Sequence, residues 1–351
     1  DLRYTLVDYN DLYETNYDYS GYYSTGNYSD ITSTQSFNGE SLITSAIDYV
    51  TSDTLPVMYI VNGHGNSTLS DTVSTRIQRM NIETQDLSLL TGEIPSDAAC
   101  LLFYCPTIDL SETETDAVLT YLENGGHVLI VTALTTDDLP NFDRVYAYYG
   151  LSLERDLVIE GSSSNYFQQP MYLLPTIKSH TITEPIISDN LYILMPGAEA
   201  IGVSSDVRSS VSVTTLLTTS NSAFAKDIST GKLTSTTKEA GDLSGPFTLA
   251  AAATETVNDK ESQFVLIACE DLLDSSLNSQ YTLGNVDFFT NAVSWMCEHE
   301  STISIAEKAV TTNKLTMTAA QISTWTVISM YVIPVLFLAA GIAVWVWRRR
   351  K

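Results

Sequence analysis

Three stretches of this chain are apolar without a break, and their spacing leaves few folds open to it. VMYIV after Pro56, AACLLFY from Ala98 to Tyr104 and HVLIVTAL from His127 lack the alternation of a strand with one wet face. A strand that is hydrophobic on both faces must be covered on both. Segments with helical periodicity lie between them. Residues 40–52 (ESLITSAIDYVTS) carry Leu42, Ile43, Ala46, Ile47 and Val50 at the spacing of one helical face. Ser70 and Asp71 supply the cap and first turn of a helix reaching about Met80, and Ile82–Leu90 suits another strand. Leu110–Leu122 (LSETETDAVLTYL) is amphipathic, with an acidic first turn that the helix dipole favours, and Gly125-Gly126 ends it. Two-faced strands alternating with helices predict a parallel sheet covered on each side, a doubly wound α/β layer. Right-handed crossovers then place the loops after Val61, Tyr104 and Val131 at the carboxyl edge, where such sheets bind ligands.

The flanking regions read differently. Residues 1–39 are rich in Tyr, Ser, Thr, Asn and Asp without helical period, and predict short strands or a hairpin lying against the domain. From 151 to 300, apolar segments around Leu157, Leu173, Ile193, Val211 and Phe247 alternate with Ser/Thr/Gly-rich connectors such as Ser229–Ser244. They predict strands that extend the sheet or form a small β subdomain. Phe264–Cys269 (FVLIAC) is a further strand, and Asn285–Cys297 (NVDFFTNAVSWMC) an amphipathic closing helix.

No charged side chain occurs between Lys314 and Arg348. As a helix, Trp325–Trp347 spans about 34 Å, enough to cross a hydrocarbon core of about 30 Å. A span over 323–347 follows, with a juxtamembrane linker at 301–322. Trp and Tyr residues sit near both ends, and the basic tail 348–351 marks the cytoplasmic side. Everything before the span then lies outside the cytoplasm. Ala339, Ala340 and Gly341 offer a small-residue face for packing against other membrane helices. An exported chain numbered from Asp1 leads us to expect a leader or a first membrane helix ahead of that residue.

The chain holds 17 Lys and Arg against 42 Asp and Glu, and four of those cations form the tail. The portion outside the membrane is therefore more acidic than the net charge of −25 suggests. Such a surface excludes nucleic acid and anionic headgroups as its partners. Four cysteines, Cys100, Cys105, Cys269 and Cys297, are too few for a disulfide framework. Cys100 and Cys105, five apart in a strand-like run, fall on opposite faces and do not bridge. Buried free thiols are the default, with a Cys269–Cys297 bridge as the alternative.

The ordered set ESLITSAIDYVTSD, LPVMYIVNGHG, CPTIDLSETETDAVLTYLENGGHVLIV, YLLPTIKSHTIT, LLTTS and GNVDFFTNAVSWM, ahead of one membrane helix with a central Pro and a basic end, resembles the Gldg-type (gliding-motility-associated) auxiliary proteins of bacterial ABC transport systems. The likeness runs from Glu40 to Lys351. It implies a flavodoxin-like or class I glutamine-amidotransferase-like domain, an additional amino-terminal membrane helix, a bacterial plasma-membrane location, and partnership with an ABC permease and ATPase. It implies no enzyme activity. Where the family commonly has Gly-His-Gly-Glu, this chain has Gly63-His64-Gly65-Asn66, which weakens any role of that carboxylate here.

The residues themselves offer little chemistry. Cys105 follows a strand as a nucleophile would, but Pro106 comes next and no Gly flanks it, so the strained elbow is not expected. The four His residues (His64, His127, His180 and His299) lie far apart, with no metal-ligand spacing, and phosphate-loop patterns are absent. His64, between two Gly residues at a strand end, is the best candidate for binding an anion or carboxylate, with Gly63, Gly65, Asn66 and Cys105 around it. The competing account is a tight turn in which His64 bonds the neighbouring loop. The expected role is a noncatalytic subunit, without cofactor or metal, whose head contacts a permease or an extracellular ligand. The alternative is a cell-surface receptor or degenerate hydrolase using the cleft near His64.

Overall fold

The apolar runs form adjacent interior strands towards one end of a large mixed sheet. The computed structural model describes residues 4–18, 27, 32–52, 54–91, 93–229, 231, 233, 235–257, 260–297, 308–309, 328–335 and 349. The main strands are β1 (Val57–Asn62), β2 (Glu83–Ser88), β3 (Ala98–Tyr104), β4 (His127–Val131), β5 (Leu151–Ile159), β6 (Glu199–Val203), β7 (Val211–Thr218), β8 (Phe224–Asp227), β9 (Thr248–Val257) and β10 (Lys260–Ile267). Two-residue strands at Thr176–Ile177 and Leu243–Ser244 bring the sheet to 12 strands.

Five strands pair in parallel, in the order β2-β1-β3-β4-β10. The rest is antiparallel. β10 enters parallel to β4, but its partner β9 is a hairpin neighbour and must run the other way, and β7, β6, β5 and β8 are each antiparallel to the strand they pair with. The doubly wound layer thus holds for five strands, and the second half extends the same sheet.

Helices cover both faces, as two-faced strands require. We number them α1 (Gly39–Thr51), α2 (Asp71–Arg79), α3 (Glu112–Glu123), α4 (Pro140–Tyr148) and α5 (Asn285–Met296). One core layer joins Met58, Leu102, Leu129 and Val265 of the strands to Val73 and Ile77 of α2 and Phe288, Phe289 and Val293 of α5. The other joins Tyr59, Leu101, Phe103, Val128 and Ile130 to Val118 and Leu122 of α3 and Phe142 and Tyr146 of α4. Each such side chain contributes about 2 kcal/mol on full burial, which is why alternate residues of one strand can hold opposite helices. Ser70 caps α2 by accepting from Val73 N–H, and Ser111 with Glu114 forms a reciprocal capping box on α3. Helix α4, for which no element was expected, starts at Pro140 and buries Phe142, Val145 and Tyr146.

Helix α1 forms as its period predicts, yet Ile43, Ile47 and Val50 face solvent at 51%, 58% and 43% exposure. Its polar residues make the contact instead. Asn81 Nδ2 donates to the Ser45 carbonyl and to Asp48 Oδ2, both at 2.8 Å. The amino-terminal hairpin also forms, Tyr13–Asp18 pairing antiparallel with Thr32–Phe37. Lys308–Ala309, inside the stretch expected to be a linker, adds a third strand to it.

By internal contacts the chain divides into Asp1–Ala309 and Val310–Lys351. Among the described residues no helix is long and apolar enough to cross a membrane. Of the expected span at 323–347, only Ile328–Val335 is described, and Ile328–Val332 makes a π-helical turn. Ala339, Ala340 and Gly341 lie outside the described residues.

Candidate functional site

The parallel order reverses direction between β1 and β3, so the gap between their carboxyl ends is a topological switch point. Gly63, His64, Gly65 and Asn66 follow β1 and Cys105 follows β3, so these five residues come together there. The turn after β1 depends on glycine. Gly63 and Gly65 have φ of +110° and +65°, and a Cβ on Gly65 would lie 2.1 Å from Thr107 Oγ1.

His64 ties this turn to its neighbours through both backbone and ring. Its carbonyl accepts from Thr107 N–H at 2.8 Å and Ile108 N–H at 2.9 Å, and its own N–H donates to Asn66 Oδ1 at 3.0 Å. The ring is 5% exposed and edge-on to Phe142. Nδ1–H donates to the Asp109 carbonyl at 3.3 Å, while Nε2 lies 3.6 Å from Glu114 Oε1. That second distance is within ion-pair range but beyond a hydrogen bond, and Nε2 is a buried polar atom without a hydrogen-bond partner.

The amino-terminal donors of α3 and α4 are already occupied. Ser111 N–H donates to Glu114 Oε2, and Asn141 and Phe142 N–H donate to the two Asp109 oxygens at 3.0 and 3.1 Å. Donors that could have received an anion are spent on the protein's own carboxylates.

Cys105 corrects two expectations. Its φ is +52°, so the left-handed strand-end turn forms without a flanking glycine. Backbone pairing holds it: Cys105 N–H donates to the Val131 carbonyl at 2.8 Å and Ser67 N–H to the Tyr104 carbonyl at 3.2 Å. The turn also brings Cys105 into the same core layer as Cys100, where simple strand alternation had put them on opposite faces. The Cys105 thiol is 1% exposed and points at the Glu270 carbonyl, 3.8 Å away. Burial, with the Glu270 and Asp271 carboxylates adding to it, pushes the thiol far above its ordinary range and keeps it protonated.

Sequence reasoning missed a second group at this edge, beyond β4 and β10. Glu199, 1% exposed, accepts from the Thr132 hydroxyl at 2.9 Å through Oε2, while Oε1 has no hydrogen-bond partner. Burial lifts its carboxyl to about 7, with Thr132 and Arg155 offsetting part of the rise. Glu270 accepts from Leu134 N–H at 3.0 Å. The available signal was a lone acid in the otherwise apolar run Ala198–Val203.

The remaining candidates are scattered. His180 stacks edge-on against Trp295, with burial lowering its pKa, and His127 bonds the Met296 and Glu261 carbonyls. His299 lies outside the described residues. Among the described residues no group of three or more His, Cys, Asp or Glu side chains could hold a metal ion.

No protein-family model and no curated protein matches the chain. Similar solved structures include the N-terminal domain of mmIFT52, at 13% identity and a TM-score of 0.49 over 68% of this chain and 96% of that one. A putative ThuA-like protein from Bacteroides uniformis matches at 13% identity and 0.40, over 70% and 93%. An exo-β-1,4-mannosidase from an Opitutaceae bacterium matches at 12% and 0.34, over 71% and 36%. Likeness at this level assigns neither family nor activity.

Proposed function

We propose that this chain is a noncatalytic, membrane-anchored extracytoplasmic auxiliary subunit of an ABC transport system. Its head is then a flavodoxin-like, class I glutamine-amidotransferase-like domain, held at a bacterial plasma membrane by one span at 323–347. The observation that carries the noncatalytic role is Cys105. At a strand end suited to a nucleophile, its thiol is buried, faces a carbonyl and is kept protonated, while the His64 ring is directed at Asp109 and Glu114.

The outer stripe of α1 supports partner binding. Ile43, Ile47 and Val50 are exposed together on one helical face, the kind of apolar surface a docked protein covers. The ordered resemblance to Gldg-type proteins supplies the kind of partner, an ABC permease and ATPase. Affinity purification of the tagged chain from detergent-solubilised native membranes tests the proposal. Permease and ATPase are expected to co-purify, and Ile47→Glu to reduce their recovery. Isolation of the chain without ABC components would contradict it.

A second role, a cell-surface receptor or degenerate hydrolase, draws on one observation, the buried His64 Nε2 without a hydrogen-bond partner. His64→Ala separates the two. Loss of transport with the complex intact favours the receptor, and unchanged transport favours the subunit.

A further inference from the structure

Three of the four cysteines lie outside the switch-point site, and the fold brings two of them together. Cys100 sits in β3 and Cys297 directly follows α5, 197 positions later, yet their Sγ atoms are 3.6 Å apart in the core and both are free thiols. The pairing left open by the sequence, Cys269 with Cys297, does not occur. Cys269 follows the carboxyl end of β10 and its thiol meets the Pro196 carbonyl at 3.2 Å. Cys297 instead lines a cavity with Lys260, the first residue of β10. β10 separates the two.

That cavity, about 640 Å³ in volume, is bounded by Ala99, Tyr121, His127 and Lys260 as well as Cys297. Cys297 is 7% exposed and Cys100 fully buried, so a small molecule reaches the pair through Cys297.

We propose that Cys100 and Cys297 are a dithiol site that a small-molecule disulfide oxidises to a protein disulfide. Cys297 loses its proton and attacks one sulfur of the incoming disulfide, which releases one thiolate and leaves a mixed disulfide on Cys297. Cys100 then loses its proton and attacks Cys297 Sγ, expelling the second thiolate. The two protons and two electrons lost by the protein appear in two molecules of reduced small thiol. The sulfurs must close by about 1.5 Å to reach the about 2.05 Å of a disulfide. The hydrogen bond to Cys297, with burial, raises the Cys100 thiol well above its ordinary range, which fits the buried sulfur reacting second. The bridge would fasten the end of α5, from which the chain continues into 298–351, to a central strand.

The test uses the full-length chain. After incubation with oxidised glutathione, or with a reductant as control, free thiols are alkylated in denaturant and the protein is digested without reduction. The expected result is a linked pair of Cys100 and Cys297 peptides, lighter by two hydrogens, with two of the four thiols still reactive. Cys105→Ala and Cys269→Ala should leave that link in place, and Cys100→Ala should replace it with a glutathione adduct on Cys297. Four reactive thiols after oxidation, a lasting adduct on wild-type Cys297, or a link through Cys105 or Cys269 would each overturn the proposal. Mapping of the wild-type chain decides it even where a variant fails to fold.

Discussion

Replacing Glu199 by Gln should make the protein more stable above neutral pH and leave it about as stable in acid. Glu199 is 1% exposed, and burial raises its carboxyl from an ordinary value of 4.5 to about 7. The folded state therefore holds this proton more tightly than the unfolded chain does. Between those two values the native protein binds more protons, so stability falls as pH rises. The stabilisation is complete below about 4.5 and lost above about 7. At 1.36 kcal/mol per pH unit the loss totals about 3 kcal/mol. Gln keeps the shape and can still accept from the Thr132 hydroxyl, but carries no charge to desolvate. Urea unfolding of both proteins from about pH 4 to about pH 8.5 reports on this residue, because titrations that are not coupled to it cancel in the difference. The gap should open across the interval and reach about 3 kcal/mol in favour of Gln. A gap that is constant with pH would refute the reasoning.

Gly65→Ala should destabilise by about 1–3 kcal/mol in chemical unfolding, because the new methyl meets Thr107 Oγ1 in a left-handed turn; an unchanged midpoint would mean the two loops are not in contact. Asn285→Ala should cost about 3 kcal/mol and lower the thermal midpoint, since its side chain satisfies Leu194 N–H, the Leu194 carbonyl and the Leu272 carbonyl in the core. Asp109→Ala should cost about 2 kcal/mol by stripping the acceptors from Asn141 and Phe142 N–H, with amide exchange rising first at the start of α4.

Four of the five parallel strands were legible because burial on both faces leaves an unbroken apolar run, which β1, β3, β4 and β10 carry and the exposed edge strand β2 does not. The cap at Ser70 was legible because a cap is a local event. Long-range facts were not. Nothing near residue 100 announces residue 297, and α1 hides its exposed face because helical period reports a stripe without saying what covers it. Cys105 shows a further limit, since backbone pairing from β4 and the turn after β1 imposed a conformation that its flanking residues alone argued against. The alternation of strands and helices was enough to put the loops after Val61 and Tyr104 at the carboxyl edge, whereas the switch point between them follows from the strand order of the fold. That its backbone donors are consumed by Asp109 and Glu114 depends on side chains from two helices meeting there.

The proposed topology puts the acidic α/β head outside the cytoplasm, anchored by the uncharged segment before Arg348. Protease added to intact spheroplasts tests it directly. The account predicts that the head is digested from outside while a short carboxy-terminal fragment stays with the membrane through washing at high pH. A head that survives until the cells are lysed, or a chain that washes off the membrane, would contradict it.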